Sequence, residues 1–253
     1  YLGFSLWDII SGKYDIKSIK LKGGFIHLVQ HTDGTFNITK AFETTHEIED
    51  IEEEFHMHLK KIEIDHVDIN KLNEENNILF DTYIVGAKSS FKSDDKGTFI
   101  HLDAKFELSM IQEGDTTFIK HKHFDLDTEL AFITETNALE IKPSEVYLEG
   151  ALFKMDGSVD FDDDVYLDLN FSGEKPNFDL FIAFAPNELI PTLKKYDNKG
   201  KVYFDAKVQG KSINGHNPKV DANFGCSEAY FTNSINKKKL DELQFKGHFT
   251  NGE

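Results

Sequence analysis

The stretch FDLFIAFAPNELIPTLKKYDNKGKVYFDAKVQ, residues 178–209, carries the reading on which the fold turns. Phe178, Leu180, Ile182 and Phe184 occupy alternate positions at its start, and Val202, Phe204, Ala206 and Val208 do so at its end. Alternation with period two places each set on one face of a pleated strand. Between them, Leu189, Ile190, Leu193 and Tyr196 recur at three- and four-residue spacing, which predicts a short helix over 186–199. Pro186 suits its start and Pro191 divides it into two pieces. Lys194, Lys195 and Lys199 sit where a helix C-terminus favours cations, and Gly200 is a natural left-handed stop. The stretch therefore reads strand, helix, strand. A lone amphipathic helix in a sheet protein either plugs an open end of a curved sheet or lies on a membrane or partner. Its stripe is short and its flanks only weakly basic, which favours the plug.

The same alternation recurs on both sides of this unit. Residues 14–21 and 25–30 read as two strands meeting at a turn at Gly23 and Gly24, and Asp33-Gly34 marks a second turn. Residues 41–54 hold seven acids and little periodicity, which predicts a loop. Strands resume at 55–59 and 62–64, with a phase slip at Lys60 and Lys61 that suggests a bulge. Ile100, Leu102, Ala104, Phe106, Leu108 and Met110 give six apolar positions in register, and Phe124, Leu126, Leu130 and Phe132 make the expected partner. Strands follow at 139–141, 146–148, 152–155, 220–226, 229–231 and 243–249, and Val159, Phe161, Val165, Leu167, Leu169 and Phe171 share one face, interrupted at Asp162-Asp163-Asp164. Ile16, Ile19, Leu21 and Ile26 align with Leu59, Ile62, Ile64 and Ile69 at a constant offset of 43, a weak internal repeat that points to a sheet growing by hairpins. The fold class is mainly β: an elongated, curved antiparallel sheet, open groove or partial barrel, with the helix near 186–199.

Composition narrows the function classes. The 253 residues carry a formal charge of −17 and no Arg, which weighs against nucleic acid and against docking on an anionic membrane through a basic patch. Cys226 is the single cysteine, so no internal disulfide framework exists. No apolar run approaches the roughly 20 residues of a membrane helix. The chain opens at Tyr1 inside what already reads as structure (Leu2, Phe4, Leu6, Trp7), the mark of a fragment.

Candidate chemistry is thin. His56/His58 and His121/His123 each lie on one face of a strand and have the spacing of zinc ligands, but no nearby Cys completes a set; rim histidines are the simpler reading. Asp160, Asp162, Asp163 and Asp164 lack the pattern of a calcium loop and read as a solvated turn. Among 45 acids no carboxylate pair stands out. No nucleophile-elbow, phosphate-loop or zinc-protease motif occurs. Cys226 reads as a small core residue. No catalytic residue, cofactor site or metal site is assigned.

Four segments carry a resemblance. LKGGFIHLVQHTDGTFNITK (21–40), with Asp33, Gly34 and Asn37 in a dG-x-x-N element, resembles the early segment of the AsmA-like envelope proteins. FAPNELIPTLKKYDNKGKVYFDAKVQG (184–210) resembles a later one, and NPKVDANFGCSEAYF with LQFKGHFTNG is similar to the strands that follow it in Bacteroidetes-type members. The acidic insert 43–54 matches no part of that pattern. The resemblance implies a periplasmic module held to the inner membrane by an N-terminal helix absent here, without enzyme activity or cofactor. It implies a role in outer-membrane biogenesis, with phospholipid or acyl chains as ligand and other envelope proteins as possible partners. Residues 1–253 would then be part of a larger periplasmic region, sub-divided into hairpin repeats (1–135) and a sheet with the helix (136–253).

On this reading the apolar sides of successive strands share one inner wall. The candidate lipid-lining residues are Ile100, Leu102, Phe106, Leu108, Phe124, Leu126, Leu130, Phe178, Leu180 and Ile182, for each of which ordinary core is the competing reading. A β-sandwich that binds glycan or protein ranks second; such modules usually present Trp, and only Trp7 exists. A hydrolase ranks third.

Overall fold

The structure, a computed structural model, describes residues 17–37, 60–75, 77–94, 96–112, 119–161, 165–175, 177–212 and 218–252. Twelve strands form one sheet: β1 (Ser18–Lys22), β2 (Phe25–Gln30), β3 (Lys61–Asn73), β4 (Ile78–Asp94), β5 (Gly97–Gln112), β6 (Lys122–Ile133), β7 (Ala138–Leu148), β8 (Ala151–Asp160), β9 (Tyr166–Lys175), β10 (Tyr196–Lys211), β11 (Lys219–Asn233) and β12 (Lys239–Thr250). Two short helices, α1 (Asp179–Phe184) and α2 (Ile190–Leu193), lie between β9 and β10. From β3 to β12 each strand pairs antiparallel with the next; the sheet is curved and not closed.

The register shows why the alternation matters. Phe91, Ile100 and Leu130 stand opposite one another, as do Ile84, Phe106 and Phe124, then Leu126 and Val146, Met155, Phe171 and Ala206, and Phe204 with Phe224. Strand partners share a face, so the apolar sets of all twelve strands fall on one side. Where the sequence slips phase, a bulge restores it. Ile84 and Ala87 stay on one face through a shift at Val85, Ile141 and Ser144 through another, and Cys226, Ala229 and Phe231 through two more. His66, at φ 54°, does the same for Ile64 and Val67. The other face holds the charge, with cross-strand pairs such as Lys105–Asp125 at 2.7 Å and Lys207–Asp168 at 3.1 Å.

Three expectations are corrected. First, β1 and β2 are not a hairpin: both run parallel to β3, along its first and second halves. Gly23 and Gly24 are a kink in one interrupted edge strand, where the Gly23 N–H donates to the Asp65 carbonyl and the Asp68 N–H to the Gly24 carbonyl. The offset of 43 is the pairing register itself, since Ile19 faces Ile62, Leu21 faces Ile64 and Ile26 faces Ile69. Ile16, Leu59 and the slip at Lys60-Lys61 fall wholly or partly outside the described residues, as does the acidic insert.

Second, Phe178, Leu180, Ile182 and Phe184 belong to a helix segment, not a strand. Phe181 and Ala183 are apolar too, with Asp179 the single polar position, so the run has no consistent polar phase and its alternation is accidental. A strand there would have no edge to join, because β9 and β10 pair directly with each other. Asn198 Oδ1 accepts the Phe178 N–H at 2.8 Å and fixes the entry to α1. Third, the helix expected over 186–199 is reduced to α2, because Tyr196, Lys199 and Gly200 already belong to β10. Gly200 sits at a bulge rather than a helix stop: a Cβ there would lie 2.5 Å from the Ala229 Cβ.

α1 lies on the apolar face across β8, β9 and β10. Apolar at every position but the exposed Asp179, it buries Leu180 and Ala183 fully and Phe181, Ile182 and Phe184 in part. Phe184 meets Phe153 and Phe204 on one flank, while Phe178 and Phe181 meet Phe231, Phe224 and Phe245 on the other. Leu180, fully buried, packs with Ala183, Val202, Cys226 and Ala229.

Candidate functional site

The most distinctive surface is the apolar face beyond the reach of α1. Ile100, Leu102, Phe106 and Leu108 of β5 share it with Phe124, Leu126 and Leu130 of β6. All seven are half-buried, and the Phe106 and Phe124 rings stack with centroids 5.1 Å apart. The wall continues onto β3 through Ile62, Ile64, Val67 and Ile69, and onto β1 and β2 through Ile19, Leu21 and Ile26. The described residues place no second sheet over it.

The other three candidate lining residues have a different role. Phe178 caps α1 and Leu180 lies within it, both buried against the sheet, and Ile182 of the same helix packs against that cluster, so they cover one end of the wall rather than line it. The sandwich architecture is likewise corrected, since the described strands form one sheet.

One residue at the junction escaped the sequence reading. Lys122, 1% exposed, points from the start of β6 onto the apolar face, in phase with Phe124 and Leu126. Its Nζ donates to the Ala185 carbonyl at 2.5 Å, just past α1, and lies 3.3 Å from Asn187 Oδ1. Asn187 Nδ2 in turn donates to the Lys120 carbonyl at 3.3 Å. Burial pushes the ammonium below its ordinary range, and the charges of Glu149 and Glu188 oppose that shift. Lys122 thus ties the helical plug to β6. A lysine in phase with an apolar strand set was the available signal.

The remaining motifs that fall among the described residues make contacts within the fold. His121 and His123 converge on Glu107 and Glu149: His121 Nδ1 is 2.5 Å from Glu107, and His123 Nδ1 is 2.9 Å from Glu149. His56/His58 and Asp162–Asp164 lie outside the described residues, while Asp160 ends β8. Cys226 is buried in the α1 core, where burial pushes its thiol up. The dG-x-x-N element is a turn that laces the edge. Asp33 accepts from the Thr35 backbone and hydroxyl, while Asn37 accepts the Val29 N–H at 2.9 Å and donates to the His27 carbonyl at 3.0 Å. On the outer face of β9–β11 a depression of about 460 Å³ is lined by polar side chains, many of them tied to one another, as Gln209 is to Asp168 at 3.0 Å.

Comparison with protein-family models, curated proteins and solved structures finds no match.

Proposed function

We propose that the chain is a non-enzymatic, AsmA-like periplasmic module of envelope biogenesis that binds or conducts phospholipid acyl chains along its apolar face. One observation supports the reading above the others. The in-phase apolar residues of twelve strands lie on one side of a sheet that neither closes nor meets a second sheet among the described residues. An apolar wall of that extent is unusual on a soluble surface and marks a binding face. Beyond the part that α1 covers, the open wall runs across β1, β3, β4, β5 and β6, five neighbouring strands at about 4.8 Å spacing or roughly 20 Å, and each acyl CH₂ removed from water contributes about 0.8 kcal/mol. Such a surface needs no catalytic group, because acyl chains are held by area rather than by directed polar contacts.

The test is native mass spectrometry of the chain purified from cells. Co-purifying phospholipid is the expected result. The paired substitution Leu102→Asp and Leu126→Asp puts two charges on the wall and removes that lipid, while Lys105→Asp on the outer face leaves it. A chain that carries no lipid, or one whose lipid survives the paired substitution, ends the reading.

A further inference from the structure

Despite the charge of −17, one end of the sheet is cationic and apolar together. The end of α2 and the turn between β11 and β12 lie side by side, with the Ser234 N–H donating to the Lys195 carbonyl at 2.9 Å and Tyr196 paired with Asn233. Between them is a depression of about 410 Å³ walled by Leu193, Phe231 and Leu240. Aliphatic side chains stand clear of the surface on both sides: Leu189 is 53% exposed and Ile235 79%. Lys194, Lys195, Lys237 and Lys238 flank them, none with a carboxylate partner among the described residues, whereas Lys201 and Lys239 nearby are paired with Glu228 and Asp241. The other acids of the two segments are Glu188, Asp197 and Glu242.

Unpaired lysines beside protruding aliphatics fit the boundary of an anionic bilayer, where headgroups take the ammonium groups and the acyl margin takes the side chains. A folded acidic protein would need a matching pocket for each of two separate tips; a bilayer surface takes both without shape matching. The net charge of the chain is spread over the whole sheet, whose far end along β10 lies roughly 50 Å away, and charges beyond a Debye length of about 8 Å act weakly here. Within this end, Lys194, Lys195, Lys199, Lys237, Lys238 and Lys239 outnumber Glu188, Asp197, Asp241 and Glu242. We infer that this end of the sheet docks on the surface of a bilayer containing anionic phospholipid, through Lys194, Lys195, Lys237 and Lys238, with Leu189 and Ile235 at headgroup depth. The inference goes beyond lipid carriage and does not require it, because none of the four lysines lies on the apolar wall.

Flotation of the 253-residue chain with vesicles tests it. Binding is expected with phosphatidylcholine vesicles holding about one-third phosphatidylglycerol, and not with phosphatidylcholine alone. Lys237→Glu with Lys238→Glu lowers binding at least about 20-fold, at about fivefold per lysine, and Ile235→Asp lowers it as well. Lys154→Glu on the outer face changes it less than about twofold, with circular dichroism showing all variants folded. No flotation of the parent chain overturns the inference, and so does an equal loss in Lys154→Glu, which would assign binding to bulk charge. Native mass spectrometry keeps the two ideas apart. The Lys237→Glu/Lys238→Glu chain is expected to keep any lipid the parent carries, and loss of lipid along with flotation overturns a separate docking surface.

Discussion

The strands from β7 to β12 and those from β1 to β6 are built from the same alternating sequence, yet they bury it differently. In the first group α1 lies on the apolar face and Leu180, Ala183, Val202 and Cys226 lose nearly all contact with water. In the second group Ile100, Leu102, Leu126 and Leu130 stay half-buried, and among the large apolar side chains on that face only Val67 is sealed. The lesson is that amphipathic strands specify a sheet but not what covers it. A run of seven residues, apolar but for Asp179, capped and coiled into a six-residue helix is enough to convert half of one wall into a core.

The largest expected effect tests that contrast directly. Leu180→Ala empties a fully buried site and is expected to cost about 3 kcal/mol in urea unfolding, whereas Leu102→Ala costs about 1 kcal/mol. Equal losses would mean that both halves belong to one closed core, and the open wall would be gone. Space beneath the helix gives a second contrast. A Cβ on Gly173 would meet the Leu180 side chain at 2.9 Å and Phe153 at 3.2 Å, while one on Gly86 meets nothing within 4 Å. Gly173→Ala is therefore expected to cost about 1–3 kcal/mol by overpacking, and Gly86→Ala to stay within about 0.5 kcal/mol. Thermal melts of the two variants decide it.

The seam between the halves comes next. Lys122→Ala removes a buried stem and orphans the Ala185 carbonyl, an expected loss of about 2 kcal/mol, with Lys122→Met losing less because the stem remains. Burial holds the folded-state pKa of Lys122 below its ordinary 10.5, so the unfolded chain binds that proton more tightly. Stability then rises with pH between the folded and unfolded values, a rise that Lys122→Met lacks. Denaturation midpoints of the two chains compared through the alkaline range up to the ordinary 10.5 read the difference. A parallel pH profile would remove Lys122 from the seam.

The smallest effect belongs to the open edge. Hydrogen bonds from Lys61 and Lys20 hold Glu63 down at about 2, and Lys20 bridges β1 to β3 at 2.9 Å. This contribution is present above the ordinary carboxylate range and is lost as pH falls toward about 2. In a carbon-detected NMR titration Lys20→Gln is expected to move Glu63 back toward 4.5, and an unchanged Glu63 would leave β1 without that tie.

Much of the apolar face was legible because strand phase survives into the sheet. Ile100, Leu102, Phe106, Leu108, Phe124, Leu126 and Leu130 share a face in the sequence and in the register alike. Phe178, Leu180 and Ile182 misled because a run apolar at every position but one fits both periods. The repeat at offset 43 was visible, but side-by-side parallel pairing leaves the same trace as two copies of a hairpin. Lys122 went unread because its burial depends on the Ala185 carbonyl, 63 residues away.

By itself the sequence determined the period of nearly every strand, the single apolar side of each, the places where phase slips, and the charge on the opposite side. These are local properties, set by which neighbours along the chain point the same way. Only the tertiary structure decided that β1 and β2 join in parallel, that residues 179–184 coil instead of extending, and that lysines from two distant turns meet at one end. Each of those depends on which backbone edges remain unpaired once the long antiparallel strands have claimed their partners, and that is a property of the assembled sheet rather than of any segment within it.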